Sequence, residues 1–184
     1  MNSEHDAYCS SPEWAEILAG EVLPWGLDGF GLDGSVLELG GGFGASTAYL
    51  LERTKSLTVV EADATLAAGL ADRFPALDVL TADATALPLE EAAFDTVVCF
   101  TMLHHVPSAE GQDRLFAEAA RVLRPGGWFG GTDSLASDEL REFHTGDVYV
   151  PVDPATLSER LRAAGFSEAR ADVGERRLRF RARR

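Results

Sequence analysis

Lysine is almost missing from this chain of 184 residues: Lys55 is the only one, and the net charge is −14. A nucleic-acid surface needs clustered cations, so this balance argues against a nucleic-acid partner. Cysteine is scarce as well. Cys9 and Cys99 stand alone, which excludes a disulfide framework and any Cys/His zinc spacing. Cys99 sits in the apolar run from Thr96 to Phe100, where a reduced, buried thiol is expected. No apolar stretch approaches the ~20 residues of a membrane span. The opening Met1-Asn2-Ser3-Glu4-His5-Asp6 is polar and acidic, unlike a secretory signal. The expectation is a cytoplasmic protein with no membrane partner. Hydrophobic residues make up 46% and charged residues 25%, ordinary values for a globular chain that buries one core.

The order of elements then points to a fold. Ser11-Pro12-Glu13 has the signature of a helix start. Trp14, Ile17, Leu18, Val22 and Leu23 follow at helical spacing, with Pro24 expected to close the helix. Strands are predicted over 35–39, 57–61, 77–81, 94–100 and 128–132, alternating with helices over 45–53, 64–74 and 113–123. Pro125-Gly126-Gly127 reads as the turn into the fifth strand. Asp153-Pro154 caps a helix over 155–164, which Gly165 ends. Two closing strands, 168–173 and 177–182, are close enough to form an edge hairpin. In the second, Leu178, Phe180 and Ala182 alternate with arginines, the pattern of a half-buried strand with a solvated charged face. The fold class is α/β: a Rossmann-like, doubly wound sheet, mostly parallel, with an antiparallel C-terminal edge hairpin. Residues 1–34 form an N-terminal helical segment and 35–184 the ligand-binding body of a single domain.

Ligands in such sheets bind beyond the carboxyl ends of the strands, so the residues found there are the candidate site. The first strand runs into Glu38-Leu39-Gly40-Gly41-Gly42-Phe43-Gly44. Gly40, Gly42 and Gly44 allow a sharp turn and close contact between a ligand and the main chain. Taken alone, Gly40-x-Gly42-x-x-Ala45 also fits the dinucleotide fingerprint, so an NAD-dependent oxidoreductase is one reading. Glu38 favours another. A carboxylate beside the turn is poorly placed for pyrophosphate and well suited to a cationic amino acid end, as in S-adenosylmethionine (SAM). The second strand ends in Glu61, about twenty residues after the glycines, where a carboxylate grips ribose hydroxyls. The third leads to Asp83-Ala84, placed for an adenine amine. The fourth ends in Phe100-Thr101-Met102-Leu103-His104-His105, and the fifth in Asp133-Ser134.

Five segments in this order resemble the motifs of class I SAM-dependent methyltransferases, of the small-molecule, methyltransferase type 11-like kind. They are Val36 to Gly44, Asp83-Ala84-Thr85-Ala86-Leu87-Pro88, Phe94-Asp95-Thr96-Val97-Val98, Leu103-His104-His105-Val106, and Arg121-Val122-Leu123-Arg124-Pro125-Gly126-Gly127. The resemblance implies that Glu38 and the glycine turn hold the methionine part of SAM. It puts Glu61 on the ribose, Ala62 against the adenine face, Asp83 and Ala84 at the adenine edge, and the Phe100 backbone near the amino group. The product would be S-adenosylhomocysteine. A SAM-binding protein without catalysis, such as a regulator, is the alternative from another class.

The acceptor side is less defined. His104 or His105 could serve as a general base near the methyl, or could shape the pocket or cap the next segment. Asp133, His144, Asp147 and Tyr149 could orient a polar substrate or satisfy loop backbone. Asp95, at a strand start, reads as structural. After the fourth strand there is neither the Asn/Asp-Pro-Pro-aromatic motif of amino-group methylation nor an acid of the kind that helps hold magnesium, so no metal is expected. Tyr8 and Trp14 are assigned to a lid over SAM, and 134–152 to the opposite wall. Little chain remains for a macromolecular acceptor, so a small molecule is expected, with a homodimer partner as a possible source of a shared wall.

Overall fold

The computed structural model describes residues 2–184. Its strands are β1 (Ser35–Leu39), β2 (Ser56–Glu61), β3 (Asp78–Thr81), β4 (Phe94–Phe100), β5 (Leu123–Ser134), β6 (Glu168–Val173) and β7 (Arg177–Arg183). They form one sheet in the order β3-β2-β1-β4-β5-β7-β6. The first five run parallel, while β7 is antiparallel to both β5 and β6. Strand order reverses between β1 and β4, the switch point where a crevice opens at the carboxyl edge.

Helices cover both faces of the sheet, which explains why the central strands are apolar throughout rather than alternating. Val36 packs with Leu18, Leu23, Leu50 and Leu70 on one side. Leu37 and Leu39 pack with Phe116, Phe129, Leu157 and Phe180 on the other. The first side is covered by α2 (Pro12–Ile17), a π turn (Leu18–Val22), α3 (Leu23–Gly26), α4 (Ala45–Leu51) and α5 (Ala64–Arg73); the second by α6 (Ala109–Val122) and α8 (Pro154–Ala163). In β7, Leu178, Phe180 and Ala182 are buried as their alternation predicts. The intervening Arg179 lies over Trp25 at 5.2 Å and pairs with Asp172 and Asp28.

Several boundaries depart from the sequence reading. Pro24 does not close the N-terminal helix: the chain continues through the π turn into α3, with Pro24 in the first turn of α3. Pro24 has no N–H to give to the preceding turn, and the wider π turn, in which the Leu23 N–H bonds to the Leu18 carbonyl, absorbs the change of register. Burial of Leu18, Val22 and Leu23 holds the segment in place. Helix α6 begins at Ala109 rather than 113, because Ser108 caps it by accepting from the Gly111 N–H. Strand β5 already pairs at Leu123 with Phe94, ahead of the Pro125-Gly126-Gly127 segment. Two short helices have no bounds in the sequence reading: α1 (Ser3–Cys9), within the N-terminal helical segment, and α7 (Asp138–Phe143). Each has a side-chain cap: Asn2 accepts from the N–H groups of Glu4 and His5, and Ser137 from that of Leu140. These caps satisfy donors that would otherwise be orphaned in helices too short to be stable alone. Asp95 is structural as expected, accepting from the Ser35 N–H at 2.8 Å and from Arg124 at 2.6 Å. No helix among the described residues is long and apolar enough to cross a membrane.

Candidate active site

A cavity of about 1190 Å³ lies at the carboxyl edge of the sheet. One side is built from the turns that follow β1, β2 and β3. Gly40, Gly42 and Gly44 all have positive φ, at 76°, 53° and 82°, but their surroundings differ. A Cβ on Gly42 would meet nothing within 4 Å, and Gly42 lines the cavity. A Cβ on Gly40 would press on Met102 at 3.0 Å, and one on Gly44 would meet Leu70 at 2.9 Å. Gly44 therefore lets the start of α4 pack closely on α5 and is absent from the cavity wall.

The glycine turn is braced from beneath by two carboxylates. Glu61 accepts from the Gly42 N–H through Oε2 and from the Asp63 N–H through Oε1, both at 2.9 Å. Glu38 is buried behind the wall rather than on it, where it accepts from Ser46 Oγ at 2.5 Å and Thr47 Oγ1 at 2.6 Å. The sequence reading put Glu38 itself against the ligand; the side chain that reaches the wall is Ser46. Burial pushes the Glu38 carboxyl up from 4.5 to about 7, with the two hydroxyls opposing the rise and Glu61 adding to it. Glu61, Ala62, Asp83, Ala84 and Phe100 all line the cavity. Asp83 also closes its own turn by accepting from the Thr85 N–H at 2.8 Å.

The other side begins where β4 ends. Thr101 adopts a φ of 51°, a left-handed conformation unusual for a β-branched residue and costly unless its surroundings impose it. The bend carries the chain into a 3-10 turn, Leu103–His105. His104 is pinned there by Asp133, whose two oxygens accept from the His104 backbone N–H at 3.1 Å and face the ring Nδ1 at 2.5 Å. Asp133 is fully buried and does not line the cavity. It orients a wall residue from behind; of the two roles the sequence allows it, substrate contact and loop support, the bond to the His104 N–H fits the second.

All four histidines of the chain meet at this place. The His104 and His105 ring centroids are 4.1 Å apart, His5 lies 5.0 Å from His105, and His144 lies 4.5 Å from His5. Burial first, and then the neighbouring imidazoles, push His105 down to about 3, so its ring is neutral. His5 reaches the cluster from α1, with its Nδ1 3.0 Å from Asp147 Oδ2. His144, at the end of α7, places its Nδ1 2.7 Å from the Leu140 carbonyl. Tyr149, a sequence candidate for substrate contact, stacks on His144 at 4.6 Å and is not part of the wall. Tyr8 and Trp14 line the cavity with rings 5.3 Å apart. The Asn2 side chain ties α1 to the Phe143 carbonyl at 2.8 Å, joining the N-terminal segment to the wall formed by 134–148. Ser46 and His5 carry no sequence signal that marks them as site residues, whereas Thr101 belongs to the strand-end set. His5 had no local signal, since its role depends on contacts with residues far along the chain.

Comparison with known proteins agrees with this architecture. Residues 37–130 match the methyltransferase domain family. A probable S-adenosylmethionine-dependent methyltransferase of Mycolicibacterium smegmatis is 32% identical over 138 residues, covering 71% of this chain and 51% of the relative. A probable tRNA methyltransferase 9B of Bos taurus is 30% identical over 97 residues, covering 53% of this chain and 21% of the relative. The chain thus spans about half the length of the first relative and about a fifth of the second. Among solved structures, a SAM-dependent methyltransferase from Aquifex aeolicus superposes with a TM-score of 0.76 at 16% identity, covering 100% of this chain and 98% of that one. At that identity the likeness speaks to the fold. With the sheet order, the family match and the bacterial relative taken together, the chain belongs to the class I SAM-dependent methyltransferases.

Proposed function

We propose that this chain transfers a methyl group from SAM to a small-molecule acceptor, with His104 as the residue that takes the acceptor's proton. The observation that carries the reading is a single cavity with two unlike sides. One side is a glycine turn followed by strand-end carboxylates; the other is a histidine held by a buried aspartate. The donor side fits SAM. Gly42 leaves open the space that a Cβ would enter, Ser46 offers a hydroxyl, and Glu61 and Asp83 offer carboxylate oxygens to ribose and adenine groups. Bound SAM would supply the methyl carbon: an acceptor electron pair forms the new bond as the carbon–sulfur bond breaks, leaving S-adenosylhomocysteine.

The chain's own work is alignment and proton management. Holding the reacting atoms in line at about 3 Å removes much of the entropic part of the barrier. Asp133 fixes the His104 ring through Nδ1, which leaves Nε2 to accept a proton from a hydroxyl or ammonium acceptor. Helix α1, with Tyr8, and α2, with Trp14, act as a lid that keeps water from this step. The name of the bovine relative refers to tRNA. The net charge of −14 and a cavity lined in part by the short helices α1, α2 and α7 favour a small acceptor instead. The test is turnover of radiolabelled SAM with a panel of small hydroxyl, amine and carbon acceptors, with tRNA as a parallel arm. Label transfer to a small acceptor, lost in His104→Ala, is the expected result. Transfer to tRNA alone would overturn the acceptor class, and SAM binding without transfer to anything would make the protein a non-catalytic SAM binder.

A further inference from the structure

His5, His105 and His144 come from three separate elements, yet each can place one ring nitrogen so that all three lie within 4.8 Å of one another. Two of the rings are fixed from behind in the manner of metal-ligating histidines, which give their second nitrogen to a carboxylate or a backbone carbonyl. His5 does so with Asp147 and His144 with the Leu140 carbonyl. Each is left with Nε2 as the remaining ring nitrogen. The Nε2 of His144 is buried and has no hydrogen-bond partner, and the residue is only 4% exposed. A buried polar atom left in this way has given up its bonds to water and gained none in return. Packing alone does not account for it, since a phenyl ring would fill the same space without that cost.

We infer that His5, His105 and His144 form a binding site for a divalent transition-metal ion of the zinc class, on the acceptor side of the cavity. Three imidazole ligands with no thiolate suit zinc, copper, iron or nickel rather than magnesium or calcium. Three protein ligands, all lining the cavity, leave a fourth position for an incoming group, the pattern of an open zinc site. Zinc–nitrogen bonds of about 2.0–2.1 Å in a tetrahedron set the nitrogens roughly 3.3 Å apart, within the 4.8 Å that bounds the three nitrogens here. His5 is the ligand that comes from the N-terminal helix α1. Metal binding would therefore staple the N-terminal segment over the cavity and join it to α7. The site itself is independent of methyl transfer. Its use in holding the oxygen or nitrogen of an acceptor rests on the methyltransferase reading above.

The test is calorimetric titration of the full, chelator-stripped chain with Zn²⁺, with Co²⁺ absorption as a probe of tetrahedral coordination and S-adenosylhomocysteine binding measured on the same samples. The expected result is one saturable zinc per chain, lost in His5→Ala, His105→Ala and His144→Ala. Asp147→Asn should weaken binding about 10- to 100-fold, as loss of an orienting carboxylate does. Cys9→Ser should bind as the parent does, since the Cys9 thiol is outside the cluster. The conservative variant His5→Gln, judged folded by intact S-adenosylhomocysteine binding, guards against the alanine variants failing to fold, since His5 too is buried. Absence of saturable zinc binding, parent-like binding by folded His5→Gln, or loss of zinc in Cys9→Ser would overturn the inference. Zinc binding without S-adenosylhomocysteine binding would uphold the metal site and overturn the function proposed above.

Discussion

On the donor side of the cavity, Gly40, Gly42, Glu61 and Asp83 lie in or beside turns that directly follow a parallel strand. On the acceptor side, His5, His105 and His144 come from a short N-terminal helix, a 3-10 turn and the end of another short helix. The first arrangement is written locally. A glycine turn and a carboxylate at a strand end hold their geometry because the sheet fixes where each strand stops. The second exists only after the chain has closed on itself, with Asn2 bonded to the Phe143 carbonyl and His5 facing Asp147. A rigid sheet edge suits a donor that does not change, and short capped helices suit an acceptor site that can vary without disturbing the fold.

Substitutions should separate the two sides. The largest effect is expected from His104→Ala: turnover falls about 10²- to 10⁴-fold, the range for loss of a general base, while the S-adenosylhomocysteine Kd stays near that of the parent. A matching loss of donor affinity, read by calorimetry, would break the division between the sides. Gly42→Val should do the converse. A β-branched residue at positive φ, with its side chain in the donor space, should lower S-adenosylhomocysteine affinity by about 100-fold. Near-parent affinity in that variant would move the donor away from the glycine turn.

This contrast also explains what could be read from the sequence. Buried strands such as 35–39 and 94–100 announced themselves as apolar runs bounded by turns, and the strand-end residues Glu61 and Asp83 followed from them. Glu38 was found but placed one layer too far forward, because sequence spacing cannot show that Ser46 and Thr47 turn back to take up its carboxylate. Helices α1 and α7 are too short for a periodic signal, and each rests on a single cap residue and on tertiary contacts. Asp133 carried the right chemistry in the right place, but only its burial shows that it acts through His104. The meeting of His5 with His144 had no local trace, since the two lie far apart along the chain.

Glu38 gives the donor side a pH signature of its own. With its carboxyl raised from 4.5 to about 7, the folded ligand-free protein binds a proton that the unfolded chain has released across this interval. Its contribution to stability is therefore complete below pH 4.5 and is lost as pH rises through about 7. Thermal melts of the ligand-free chain should show Tm falling between pH 5 and pH 8, and Glu38→Gln should flatten that slope. An unchanged slope in the variant would assign the effect elsewhere. The smallest effect belongs to Asp95, which serves neither side. Asp95→Ala removes its bonds to the Ser35 N–H and Arg124 and should cost about 1 kcal/mol, seen as a shifted urea midpoint with donor affinity unchanged. A change in donor affinity would mean that the base of β1 is coupled to the cavity.

The central claim is that the glycine turn and the strand-end carboxylates form a SAM site rather than a dinucleotide site. Calorimetric titration of the chain with S-adenosylhomocysteine and, separately, with NAD tests it most directly. The account predicts saturable one-to-one binding of S-adenosylhomocysteine and none of NAD. Saturable NAD binding without S-adenosylhomocysteine binding would contradict it.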